Sequence, residues 1–127
     1  MEPLEAGSLS PLDHAAIAEL ISLDESLPGF VRELIDIYYV EGRKRLQLLD
    51  EAATSHDLGS AASAAHALRG CSANIGAIDV ARSCGALEEA ARAGARIDLE
   101  NAVAAIHSAY QAALPWLASV ATERQIS

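Results

Sequence analysis

Aromatic residues are scarce in this chain: one Trp, one Phe and three Tyr, 4% of 127 residues. Sheets draw heavily on aromatic and β-branched side chains, so the shortage argues against a β fold. Positive charge is scarce as well, with 9 Lys and Arg against 18 Asp and Glu and a formal net charge of −9. A nucleic-acid partner needs a basic stripe to meet its phosphates, and that partner is excluded here. No apolar run approaches the roughly 20 residues of a membrane-spanning helix, and the N-terminus lacks a basic-then-apolar signal. A soluble, cytoplasmic chain without membrane contact is expected. The sequence has no phosphate-binding glycine loop, no His-Glu-x-x-His run and no Glu-x-x-His pair, which excludes a P-loop ATP site, a zinc protease and a di-iron bundle. Cysteine is limited to Cys71 and Cys84. The two stand roughly level if their helices form an antiparallel pair, so a disulfide is geometrically conceivable. A reducing compartment favours two core thiols instead.

What remains is alanine, about a fifth of the chain, within a hydrophobic fraction of 51%. Alanine is the best helix former, and its small side chain lets helices pack closely. The length suits one domain with a modest core. Residues 1–9, with Pro3 and Gly7, read as a flexible leader, residues 10–120 as a helical bundle and residues 121–127 as a tail. Ser10, Pro11 and Asp13 form a good helix start, and a first short helix runs to about Leu23 with Leu12, Ala16, Leu20 and Leu23 on one side. A second helix follows Ser26 and Pro28, carrying Val31, Leu34, Ile35, Tyr38, Gly42, Leu46, Leu49 and Ala53 on one stripe. Gly42 on a buried stripe points to a close crossing that offsets its cost of about 1 kcal/mol. The basic run Arg43-Lys44-Arg45 reads as a solvated face.

Asp57 caps a third helix that stops near Gly76. A fourth begins at once, with Asp79 in its first turn, Val80, Cys84, Leu87 and Ala91 inward, and Gly94 at its end. Asp98 caps a fifth, whose inward residues are Leu99, Val103, Ile106, Tyr110 and Leu114; Pro115 is expected to kink or end it and Trp116 to fold back as a plug. Four long amphipathic helices on short connections imply an all-α, up-down-up-down bundle, with the first helix lying across one end.

The third helix holds the most informative run, His66-Ala67-Leu68-Arg69-Gly70-Cys71-Ser72-Ala73-Asn74-Ile75-Gly76-Ala77. On a 3.6-residue period, Gly59, Ala62, Ser63, His66, Gly70 and Ala73 share one face. Ala61, Ala64, Ala65, Leu68, Cys71, Ser72 and Ile75 make the opposite, apolar one. His66 thus points out of a patch without bulk, with Arg69 one turn on to bind whatever the ring carries. That arrangement suits a phosphoryl group, whereas a plain surface histidine needs neither the small collar nor the cation. His14, His56 and His107 lack both and read as surface or boundary residues.

The run resembles the signature of the histidine-containing phosphotransfer (HPt) domain family of multistep two-component phosphorelays, His-x-Leu-Lys-Gly-Ser-Ser-x-x-Ile-Gly-Ala. His66 matches the phosphorylated histidine, and Leu68, Gly70, Ser72, Ile75, Gly76 and Ala77 match their counterparts. Arg69 stands where the family has lysine, keeping the charge and adding a forked donor. Cys71 replaces a small residue on the core face.

The resemblance implies a phosphorelay carrier that takes a phosphoryl group from a receiver-domain aspartate onto His66 Nε2 and passes it to another. The receivers would belong to a hybrid histidine kinase and/or a response regulator. It also implies Mg²⁺ on the partner and no cofactor or metal on this chain, and it puts a partner for His66 Nδ1 on the following helix at Glu88. A solvated acid in the Glu88-Glu89 pair is the alternative there, and Arg92, at i+4, reads as a surface ion pair. Gly70 would leave room for the incoming receiver, with Ala62, Ser63 and Ala73 completing the docking patch. Such a carrier has no ATP site of its own, works as a monomer, and is free-standing or the cytoplasmic domain of a membrane-bound hybrid kinase. A receiver-docking bundle without phosphotransfer, and a bundle unrelated to signalling, are the competing functions.

Overall fold

The computed structural model describes residues 11–94 and 98–126, with side chains described as far as residue 122 in the last segment. Five helices account for almost all of the described residues: α1 His14–Ser26, α2 Phe30–Ser55, α3 Leu58–Asn74, α4 Ile78–Arg92 and α5 Leu99–Ile126. α3 packs between α2 and α4, and α5 closes the ring by packing against the same two. With short connections this is an up-down-up-down four-helix bundle.

α1 lies across one end. The amide of Asp13 donates to the carbonyl of Gly76 at 2.7 Å, and that of Asp79 donates to the carbonyl of Pro11 at 3.3 Å, fastening the entry of α1 to the turn between α3 and α4. Gly76 has φ +82°, and a Cβ there would meet Ile17 Cδ1 at 3.1 Å. Glycine is therefore required twice over, for its backbone angle and for the approach of α1. At the other end of α1, buried Asp24 accepts from the amide of Val31 at 3.0 Å, capping the start of α2.

Capping chemistry explains where the helices begin. Asp13 accepts from the amides of Ala15 and Ala16, so α1 starts there; the proposed cap Ser10 and the leader 1–9 lie outside the described residues. Of the stripe that the sequence suggests, Leu12 and Leu20 are buried, joined by Ile17 and Asp24, whereas Ala16 is half-buried and Leu23 is exposed. Asp57 holds the amide and hydroxyl of Ser60, which keeps its carboxyl below the usual aspartate range. Asp98 caps α5 through the amide of Asn101.

The core runs the length of the bundle through Ile35, Leu49, Leu68, Val80, Cys84, Ile106 and Leu117. Its buried hydroxyl group, Tyr38 Oη, bonds Ser72 Oγ at 2.7 Å and ties α2 to α3 without an unsatisfied partner. Cys71 and Cys84 are free thiols; burial raises both, Cys84 to about 12, so neither is a ready nucleophile. α5 does not stop at Pro115. It continues as helix to Ile126, so residues 121–126 are not a tail, and Trp116 is exposed rather than folded back. Pro115 and Gln111 are both exposed, so the carbonyl that proline leaves unbonded is open to solvation, while Leu117 beyond it is fully buried.

Gly42 marks the close crossing of α2 and α5. A Cβ at that position would lie 2.7 Å from Tyr110 Cε1 and 2.9 Å from its hydroxyl, and the ring is buried with its hydroxyl bonded to Tyr39 O. Gly42→Ala gains about 1 kcal/mol of helix propensity but forces the ring to move, an overpacking cost of about 1–3 kcal/mol. Urea denaturation is expected to show net destabilisation, relieved when Tyr110→Leu is added.

Candidate functional site

α3 is built so that one flank can lie flat on its neighbours. Its inner positions, Ala61, Ala64, Ala65 and Leu68, are buried against α2 and α4. Ser63, His66, Gly70 and Ala73 face outward and are exposed. Ala62, expected in the same open patch, is instead buried at 8% exposure. A 100° step per residue turns Ala62 and Arg69 toward α4, whereas Ser63 and Ala67 turn toward α2. The open patch is thus narrower on the α4 side. On the α2 side it merges with a shallow groove whose lining includes Leu48, Ser63 and Ala67. Leu48 is an exposed apolar residue off the buried stripe of α2, a signal the periodicity of that helix carries but its motif does not.

His66 stands in the middle of α3 with its side chain 57% exposed. Its Nδ1 lies 2.7 Å from Oε2 of Glu88, the carboxylate of an otherwise buried position on α4. Nε2, on the far side of the ring, has no protein partner among the described residues. A carboxylate only accepts, so in the neutral ring Nδ1 carries the proton and Nε2 presents its lone pair to solvent. Imidazole and carboxylate therefore come from facing helices, 22 residues apart in sequence.

Glu88 is 2% exposed, which overturns the reading of it as a solvated acid. A carboxylate so buried is costly unless paired. Arg92 Nη1 reaches the same Oε2 at 2.7 Å, one turn along α4. Arg69 Nη1 comes from α3 to 3.3 Å of Oε1, its stem passing Gly85 where an added Cβ would lie 3.5 Å from Cδ. Both guanidinium contacts are ion pairs, and Oε1 has no hydrogen-bond partner although it is buried. Arg92 is accordingly more than a surface pair: its cation is exposed, but the anion it neutralises is interior.

The remaining histidines sit elsewhere. His107 bonds Asp50 at 2.8 Å across α2 and α5, and His56 forms the left-handed C-cap of α2. Among the described residues no group of three or more His, Cys, Asp or Glu could hold a metal, and no helix is long and apolar enough to cross a membrane. What the site offers is an exposed imidazole nitrogen of fixed tautomer, flanked by a partly committed guanidinium, on a surface open to another protein.

Comparisons with known proteins bear on the family and the fold. The family model for the Hpt domain matches residues 33–116. The phosphorelay intermediate protein YPD1 of Candida albicans is 23% identical over 90 residues, covering 71% of this chain and 47% of that protein. The chain thus spans about half the length of that curated relative. The crystal structure of histidine-containing phosphotransfer protein B (HptB) from Pseudomonas aeruginosa PAO1 superimposes with a TM-score of 0.71 at 29% identity, covering 91% of this chain and 96% of that one. Histidine-containing phosphotransfer protein MtHPt2 from Medicago truncatula gives 0.73 at 23% identity, covering 94% and 84%, a likeness of fold.

Because the cations around Glu88 are half-exposed and can be solvated alone, the cluster adds little to stability. Glu88→Met, close in volume, is expected to keep its unfolding free energy within about 1 kcal/mol of wild type in urea denaturation. A loss of several kcal/mol would mean that the carboxylate holds the bundle together.

Proposed function

The chain belongs to the Hpt domain family, and on that footing we propose that it is a phosphorelay carrier with His66 as its phosphoacceptor. The observation that carries the reading is the pairing of exposed His66 with buried Glu88 at 2.7 Å. Phosphoryl donor and acceptor are aspartates of receiver domains, in a hybrid histidine kinase and/or a response regulator. The lone pair of Nε2 attacks the phosphorus of an aspartyl phosphate. The P–N bond forms as the P–O bond to the aspartate breaks, and the carboxylate leaves with the electron pair. The Nδ1 proton stays, so the phosphorylated ring is cationic, and the Glu88 carboxylate offsets that charge. The reverse sequence delivers the group to the next aspartate.

Arg69 would turn from Glu88 to the phosphoryl oxygens, a short move for a side chain 45% exposed and already unaligned with Oε1. Mg²⁺ belongs to the receiver in this reading, and ATP plays no part on this chain. Docking uses Ser63, Gly70 and Ala73 with Leu48 at the edge of the groove, a modest surface suited to partners that must leave after transfer. The carrier works as a cytoplasmic monomer, free or as the cytoplasmic domain of a membrane-bound hybrid kinase.

A phosphorylated, Mg²⁺-loaded receiver domain is expected to label this chain, with the label lost in acid and kept in alkali, and to leave His66→Gln unlabelled. Receivers that bind yet never transfer would make the chain a docking module instead. Gly70 gives a separate check. A Cβ there meets nothing within 4 Å, so Gly70→Gln is expected to fold as well as wild type while transfer from a receiver falls at least about tenfold through obstructed docking.

A further inference from the structure

We propose that Arg92 is a positioning residue for His66, acting through Glu88. The inference rests on the carrier reading for its consequence, but its geometry stands apart from it. Glu88 faces His66 and Arg69 from α3, and Arg92 and the Cys84 thiol from its own helix. Of the two guanidinium groups, Arg92 alone meets the oxygen that holds the imidazole: both contacts to Oε2 are 2.7 Å. Arg69 sits at 3.3 Å on the other oxygen, which accepts no hydrogen bond.

The two cations therefore have different duties. Arg92 is fixed by its i,i+4 relation to Glu88 and by its place in the last turn of α4, where a cation is favoured by the helix dipole. It stays with Glu88 throughout the cycle and keeps a positive charge on the oxygen that meets the ring. Arg69, on the helix of the histidine itself, is free to follow the phosphoryl group. If Arg69 were the principal counter-ion, each phosphorylation would strip Glu88 of its neutralising charge as Arg69 turned away. With Arg92 in place, Glu88 remains an acceptor, Nδ1 keeps its proton and Nε2 stays bare. A carboxyl that took up a proton could donate to Nδ1, and the ring would then carry its own proton on Nε2, where the nucleophile is needed.

The test is the tautomer of His66 in ¹⁵N-labelled full-length chain, read from long-range ¹H–¹⁵N correlation spectra at a pH where the ring is neutral. Arg92→Met, Arg92→Lys and Arg69→Met are compared with wild type, and phosphorylation by phosphoramidate, which needs no protein partner, is followed in parallel. Arg92→Met leaves buried Glu88 with less neutralising charge, so its unfolding temperature is expected to fall below that of wild type while Arg92→Lys retains it, and the spectra are read below the unfolding transition. The expected result is an Nδ1–H ring in wild type and Arg69→Met, a shift toward Nε2–H in Arg92→Met with phosphorylation about 10- to 100-fold slower, and recovery of both in Arg92→Lys. An Arg92→Met chain with the wild-type tautomer and rate would overturn the proposal, as would a shift in Arg69→Met equal to that in Arg92→Met. The tautomer separates the two readings. A shift in Arg92→Met in a chain that no donor phosphorylates would sustain the positioning role and sink the carrier, whereas a labelled chain with an unchanged tautomer would do the reverse.

Discussion

A single interior carboxylate organises the functional face of this bundle. Glu88 is buried, yet three groups that carry or can carry positive charge converge on it: His66 and Arg69 from one helix and Arg92 from its own. Burying an unpaired carboxylate is costly, so the side chain holds its place only because those partners repay its desolvation. The partners are in turn drawn out of free rotation. The histidine ring gains one tautomer and one orientation, and one guanidinium is kept beside it. Removing the carboxylate would leave the bundle but not the site.

The remainder of the molecule can be understood as what lets α3 and α4 lie close enough for that contact. Alanines at positions 61, 64 and 65 bury the inner face of α3 completely or nearly so without holding the helices apart. The stem of Arg69 passes close to Gly85 of α4, where an added Cβ would be in ordinary contact with it. Tyr38 and Ser72 tie α3 to α2 on the other side, and α1 clamps the turn through Asp13 and Gly76. The helix bearing His66 is thus fixed along both flanks and at its end, while its outer face is left with small residues. Small side chains do two jobs here, close packing within and open access without.

Much of this could be seen in the residues before any coordinates. The helix order, the caps at Asp57 and Asp98, the close crossing at Gly42 and the outward histidine all follow from local rules, because caps, glycine and 3.6-residue periodicity act within a few residues. Errors came where a local rule met distant packing. Pro115 signals a helix end, but its exposed position leaves the freed carbonyl open to solvation and the burial of Leu117 carries α5 onward. Ala62 belongs to the outer face on a helical wheel, yet α4 closes over the flank on which it lies. Leu23 fits an apolar stripe on a helix too short and too peripheral to bury it.

The sequence by itself determined the fold class and singled out His66 as the proposed phosphoacceptor, since both rest on patterns contained in single helices: alanine-rich periodicity, caps, and His66 among small neighbours with Arg69 one turn on. Only the tertiary structure decided what Glu88 and Arg92 are. In sequence they are an acid and a base one turn apart, indistinguishable from a surface ion pair. Burial of one partner is what changes the chemistry, because a carboxylate withdrawn from water must be answered by charge, and the side chains that answer it come from two helices brought together by folding.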